Sequence, residues 1–256
     1  MKGRIAVVLL AVLCAGIALA APASADVTDV SGSGAFGESV NVTVLGAGSV
    51  TSGPTPSVTL PAGGGGPVTD SLANVNLPGV LTTGLLNVST AGTNVGSDVG
   101  TATSSAQVVG ATLLEALAPS LSGNPLLTAD VISSQCTSGG NGSSGSSNLV
   151  GLEIAGSPVA VSPPPNTTID VLGAITVTLN EQIVSDSPGE TSITVNAVHV
   201  RLNLDGIASG DVIISQSRCR AAGPDVLGGS PGAGGPGGPG EATPATPVTA
   251  NPNFTG

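Results

Sequence analysis

His199 is the only histidine in the chain, so any acid–base relay that needs an imidazole has a single position to use. It stands between Val198 and Val200 on the polar face of an alternating segment, which reads as a solvated or cross-strand partner rather than a catalytic base. A serine hydrolase also needs its serine on a strained elbow. The literal match, Gly228-Gly229-Ser230-Pro231-Gly232, lies in a Gly/Pro-rich stretch where Pro231 lacks the N–H that would form half of an oxyanion hole. Sixteen acids supply carboxylates for glycoside hydrolysis, yet no pair stands out and aromatic platforms to hold a sugar are almost absent. Asn203-Leu204-Asp205-Gly206 resembles the middle of a calcium loop, but the EF-hand pattern would put Arg201 at its first ligand position and Val212 at its last. A calcium site of another kind, among Asp205, Asp211 and loop carbonyls, stays open. The Gly63–Gly66 run has no following Lys-Ser/Thr and helix, so it is no phosphate cradle. The residues point away from an enzyme, and no catalytic, cofactor-binding or metal-ligating residue is assigned.

Cysteine chemistry depends on compartment, and the first residues define it. Lys2 and Arg4 precede an uncharged apolar run, Ile5 to Ala20, and Ala21-Pro22-Ala23-Ser24-Ala25 then supplies a small-x-small cleavage site. This is the order of a secretory signal peptide over residues 1–25, too short in its apolar run to span a bilayer. Cys14 sits inside that run, and the bulky Leu13 before it does not suit a lipidation box. The cysteines left after cleavage, Cys136 and Cys219, are an even pair in an exported chain and are expected to form one disulfide. Closing that loop would stabilise the fold by roughly 4 kcal/mol in the chain-entropy picture.

Cleavage leaves Arg201, Arg218 and Arg220 against 16 acids, a net charge near −13. So acidic a chain has no electrostatic footprint for nucleic acid or for anionic membranes. The only aromatic residues are Phe36 and Phe254, which argues against surfaces that recognise sugars or single strands by ring stacking. The core must be built from Val, Leu, Ile and Ala.

Those residues alternate with polar ones at period two. Val40, Val42 and Val44 do so, as do Val150, Leu152 and Ile154, then Ile175, Val177 and Leu179, and Val198, Val200, Leu202 and Leu204. Each series predicts a strand with one wet face. Turn clusters are expected at Gly53–Pro56, Gly63–Pro67, Ser138–Ser147, Pro163–Pro165 and Ser187–Gly189. The pattern predicts an all-β fold, an antiparallel β-sandwich or barrel-like domain over residues 26–221. Ala106, Val109, Leu113 and Leu117 fit either a short helix ended by Pro119 or a strand pair. Apolar parity changes from Ile193 and Val195 to Val198 onward, which predicts a bulge or sheet change near Asn196-Ala197. Asp130 to Cys136 is echoed by Asp211 to Cys219, with Asp, Ile and Cys on one face of each. These read as two related strands, adjacent or facing across the core, stapled by the disulfide. From Ala222 to Gly256 there are 7 Pro and 10 Gly in 35 residues without apolar periodicity, a composition expected to be disordered.

Several phrases, taken together in their order, resemble the choice-of-anchor P family of exported bacterial proteins. They are Gly53 to Pro61, Thr128 to Cys136, Val161 to Thr167, Val177 to Gln182, Asn196 to Val200 and Gly210 to Cys219. The resemblance covers roughly residues 30–220 and implies a signal peptide, a Cys-containing extracellular domain, varying C-terminal anchoring signals and no enzymatic activity. No Leu-Pro-x-Thr-Gly motif is present, so release or non-covalent retention at the envelope is favoured over wall anchoring. The expected function is that of a secreted or cell-envelope structural or interaction protein contacting a macromolecule outside the cell. An extracellular ligand- or calcium-binding module is the alternative.

Overall fold

Alternating branched apolar residues on a Thr/Ser-rich backbone favour pleated strands with one apolar face, and two such faces pack on each other here. The computed structural model describes residues 26–44, 48–224 and 226. The expected signal peptide, and all of the expected tail beyond residue 226, lie outside the described residues.

The strands are β1 (Gly34–Val44), β2 (Gly48–Thr59), β3 (Gly65–Leu72), β4 (Val75–Leu77), β5 (Leu81–Thr83), β6 (Leu86–Thr93), β7 (Thr101–Leu113), β8 (Leu127–Gly139), β9 (Gly142–Val150), β10 (Glu153–Ile154), β11 (Ser157–Pro158), β12 (Thr167–Val171), β13 (Ile175–Ser187), β14 (Glu190–Leu204) and β15 (Ala208–Ala222). One six-stranded sheet runs β12-β13-β14-β15-β1-β2 and one nine-stranded sheet packs against it. Every strand pairing among the described residues is antiparallel, so the expected all-β sandwich is the observed fold. In the nine-stranded sheet the long β7 and β8 form a spine. Its first half pairs with β6 and β9, and its second half with β5 and β10.

The core has two unlike halves. Leu86, Leu113, Leu127, Ile132, Leu149, Ile175, Leu179 and their neighbours form one large leucine-rich cluster. In the other half the facing residues are small: Ala35, Val58, Val88 and Ala106 pack together, and Cys136, Cys219, Ile193 and Val195 form a separate group. Here hydroxyls bridge the sheets, with Ser215 Oγ donating to Ala106 O at 3.0 Å and Ser104 Oγ to Arg218 O at 2.9 Å. Small side chains let the sheets approach closely. A Cβ on Gly145 would collide with Val195 Cγ2, so glycine is required at that crossing. Cys136 of β8 and Cys219 of β15 are disulfide-bonded across the two sheets, with Cα atoms 5.8 Å apart where facing sheets ordinarily stand about 10 Å apart.

The echoed strands therefore face one another across the core. Their aspartates do not share the buried face: Asp130 and Asp211 are exposed while Ile132, Ile214 and both cysteines are buried. The reason is a change of face within each strand. Parity does switch at Ala197, yet β14 neither bulges nor changes sheet there, and its register with β13 and β15 runs through unbroken. Left-handed residues flanking Ala197 turn the backbone instead, Asn180 at φ 49° and Ser215 at φ 60°. In the opposite sheet Gly110, at φ 65°, sits where the face of β7 changes.

Other local expectations are corrected by the same structure. Gly53–Pro56 is no turn but part of β2, where the register shifts between Glu38 and Val40 of its partner. Prolines fit there because β2 is an edge strand. The Ser-rich stretch 138–147 is mostly strand, with only Gly140 and Asn141 forming the hairpin turn. Val150 to Ile154 is broken at Gly151, φ 63°, between β9 and β10. Residues 106–117 are the end of β7 followed by a 3-10 turn, Glu115–Ser120, which contains Pro119 rather than stopping before it. Packing extends past residue 221, since Val226 is buried with Val27, Val30, Leu60 and Ala102.

Among the described residues Glu38 is the one carboxyl inside the sandwich. It pairs with Ile214, whose row continues through Val198 to Leu179, all of them buried. Ser52 Oγ donates to Glu38 Oε1 at 2.7 Å, but Oε2 has no partner among the described residues. Burial pushes its pKa up, and the Ser52 hydrogen bond only partly opposes this. A raised folded-state pKa favours folding below the ordinary carboxylate range and loses that contribution as pH rises through the raised value. Glu38→Gln is thus expected to stabilise the fold at pH 7 by roughly 1 kcal/mol. Thermal melts should show this gain shrinking as pH falls through the raised value toward 4.5 and absent below it. An equal or lower Tm for the variant at pH 7 would refute the assignment.

Candidate functional site

β13, β14 and β15 bring one titratable centre together on the outer face of the six-stranded sheet. The register places Glu181 beside Asn196, Asn196 beside Gln216, and Arg201 beside Asp211. Glu181 Oε2 accepts from Asn196 Nδ2 at 2.6 Å and from His199 Nδ1 at 2.7 Å, while Oε1 accepts from Arg201 Nη2 at 3.3 Å. Gln216 Nε2 donates to Asn196 Oδ1 at 2.7 Å, and His199 Nε2 lies 3.3 Å from Asp211 Oδ1. Glu181 and His199 keep only 12% and 10% of their side-chain surface, whereas Arg201 and Asp211 keep 55% and 59%. His199 is therefore a buried cross-strand partner and not a solvated one.

Burial pushes the Glu181 pKa up, but hydrogen bonds from Asn196 and His199 and the nearby Arg201 charge outweigh it, and its net shift is downward. An ionised Glu181 can only accept, so His199 Nδ1 is the donor in that contact. Among the described residues both ring nitrogens face carboxylates and neither has a hydroxyl or thiol within hydrogen-bond distance. The arrangement orients and satisfies charges; it presents no nucleophile. A second ion-pair group is separate. Arg220 donates to Asp29 at 2.9 Å and to Glu190 at 2.8 Å, tying the first described residues to the β13–β14 turn and β15.

Asp205 lies in the β14–β15 turn, whereas Asp211 in β15 meets His199 and Arg201. Among the described residues no group of three or more His, Cys, Asp or Glu is placed to hold a metal ion. Ser230 and the Gly-x-Ser-x-Gly match lie outside the described residues.

The outer face of the nine-stranded sheet is of another kind. Strands β3, β6, β7, β8 and β9 curve into an open trough of about 860 Å³. One row across it is Ser71, Asn87, Gln107, Ser133 and Asn148, and the next is Thr69, Ser89, Ser105, Gln135 and Ser146. A contiguous hollow of about 450 Å³ extends these rows over Thr103, Thr137 and Ser144. Asp70 is the only charged residue in either lining. No periodic signal in the sequence announced this surface, because Ser, Thr, Asn and Gln on the wet face look like ordinary solvation until pairing aligns five strands.

Fold and disulfide together define the class: a two-sheet antiparallel β-sandwich protein with one inter-sheet disulfide, consistent with an oxidising extracellular or periplasmic location. Comparisons with protein-family models, with curated proteins and with solved structures found no match to this chain. No helix among the described residues is long and apolar enough to cross a membrane.

Proposed function

We propose that this chain is an exported structural or interaction protein, secreted or associated with the cell envelope, that binds another macromolecule without catalysing a reaction. The observation that carries this reading is the trough: five strands wide, open, polar and built on rigid sheet rather than on loops. The signal-like residues 1–25 and the phrases shared with the choice-of-anchor P proteins support export. The Glu181–His199 centre supports a non-catalytic reading because its acceptors and donors are spent on one another.

Purified protein is expected to co-sediment with envelopes isolated from the producing cells, and the chain to be found in the medium and envelope fractions. Protein that remains in the supernatant at every concentration, from cells in which it fractionates with the cytosol, would refute the proposal.

A further inference from the structure

We propose that the trough on the nine-stranded sheet takes an extended, uncharged polysaccharide; this rests on the interaction role just argued and names the partner. Charge is the first argument. The chain is strongly acidic, yet of the residues lining the trough only Asp70 at its edge is charged, so neither an acidic nor a basic polymer is complementary to it. Functional groups are the second. The amides of Asn87, Gln107, Gln135 and Asn148 and the serine hydroxyls between them both donate and accept, as sugar hydroxyls do. Spacing is the third. Paired strands lie about 4.8 Å apart, comparable with the advance of one pyranose unit, so a polymer lying across the strands meets one polar side chain per unit in each row. Part of the lining is already oriented, with Gln135 Nε2 donating to Ser146 Oγ at 3.0 Å and Ser133 Oγ to Asn148 O at 3.3 Å.

A protein partner fits less well. Protein interfaces are anchored by aromatic, Met and Arg side chains in their centre, and none lines the trough. The scarcity of rings, which argues against recognition by stacking, leaves recognition by repeated hydrogen bonds along a polymer. Affinity for short fragments is then weak, and length supplies avidity.

The test is native affinity electrophoresis of the purified exported chain through gels containing dextran, amylose, mannan or arabinogalactan, with polygalacturonate as the acidic control. At least one neutral polymer is expected to retard the protein and polygalacturonate is not. The Gln107→Ala/Gln135→Ala double variant should weaken retardation by about tenfold, the size of effect expected for lost hydrogen bonds. Ser105→Glu should abolish it, and Thr168→Ala on the other sheet should leave it unchanged. All these positions are exposed, so wild-type melting curves are expected throughout. No retardation by any neutral polymer, or retardation unaltered in both trough variants, overturns the inference. Co-sedimentation with envelopes that survives periodate but is lost on protease treatment identifies a protein partner, which overturns the glycan and leaves the interaction role standing. Loss of all envelope binding overturns both.

Discussion

Replacing Cys136 and Cys219 together by serine is expected to cost about 4 kcal/mol of stability and to lower Tm by roughly 10 °C. The two residues are 83 apart in sequence, so reduction restores a long loop to the unfolded chain. The bridge also lies where burial contributes least. Around it the core is mostly Ala, Ser and Val with Ile193 and hydroxyl bridges, while most buried leucines are gathered in the other half. A buried leucine contributes about 1.5–3 kcal/mol and an alanine far less, so this half has little to offset the lost crosslink. Wild-type protein melted with dithiothreitol should match the double variant without it. Opening should begin in the small-residue half, seen as faster amide exchange in Cys136–Gly139 and Arg218–Ala222 than in Ile175–Leu179. A double variant within 1 kcal/mol of wild type would show that the small-residue half holds itself together, and the disulfide would then be incidental to stability.

The strands that were legible in the sequence are those whose wet and dry faces differ in chemistry. Val40, Val42, Ile175, Val177, Leu179, Val198, Val200 and Leu202 are all buried as their alternation demanded. What escaped the pattern did so for two physical reasons. Strands lined by Ser and Thr on both faces, such as β9 and the first half of β7, carry no apolar alternation to see, and residues 138–147 therefore looked like a turn. Left-handed backbone, at Ser215 in β15 and at Gly110 in β7 opposite Asp130, reverses a strand's faces without inserting a residue, so counting parity from Asp to Cys placed Asp130 and Asp211 on the wrong side. The disulfide was legible because two oxidisable cysteines have one pairing.

The polar centre was only half legible. His199 stood out as the single imidazole, but nothing local links it to Glu181, eighteen residues away. The link is made by register, since the β13–β14 hairpin lays Glu181 against Asn196 and Thr178 against His199. In hindsight, the phrases Val177–Gln182, Asn196–Val200 and Gly210–Cys219 supply all of the centre except Arg201. Three polar-apolar phrases on consecutive antiparallel strands are a signal that one sheet face carries a cluster. Which polar residues meet depends on hairpin length, and alternation does not encode that.

Glu181→Ala is expected to destabilise the fold by about 3 kcal/mol, the cost of leaving buried donors without their acceptor. Asn196 Nδ2 and His199 Nδ1 would lose their only carboxylate, inside a site where Asn196 is 3% exposed and His199 8%. Glu181→Gln keeps the volume and one acceptor oxygen, so its cost should be smaller, about 1–2 kcal/mol. Asp211→Asn is the control for a generic charge effect. Its carboxylate is 59% exposed, and the change should stay within about 0.5–1 kcal/mol. The pH dependence separates an ionised acceptor from mere packing. The folded-state pKa of Glu181 is depressed, so its contribution is present above the ordinary carboxylate value of 4.5 and is lost as pH falls through the depressed value. The stability gap between wild type and Glu181→Gln is therefore expected to be full at pH 7 and to close below pH 4.5. Urea unfolding across this range measures it. A gap that is unchanged at low pH would mean that Glu181 acts by shape alone, and the centre would then be packing rather than an electrostatic clamp holding β13, β14 and β15 in register.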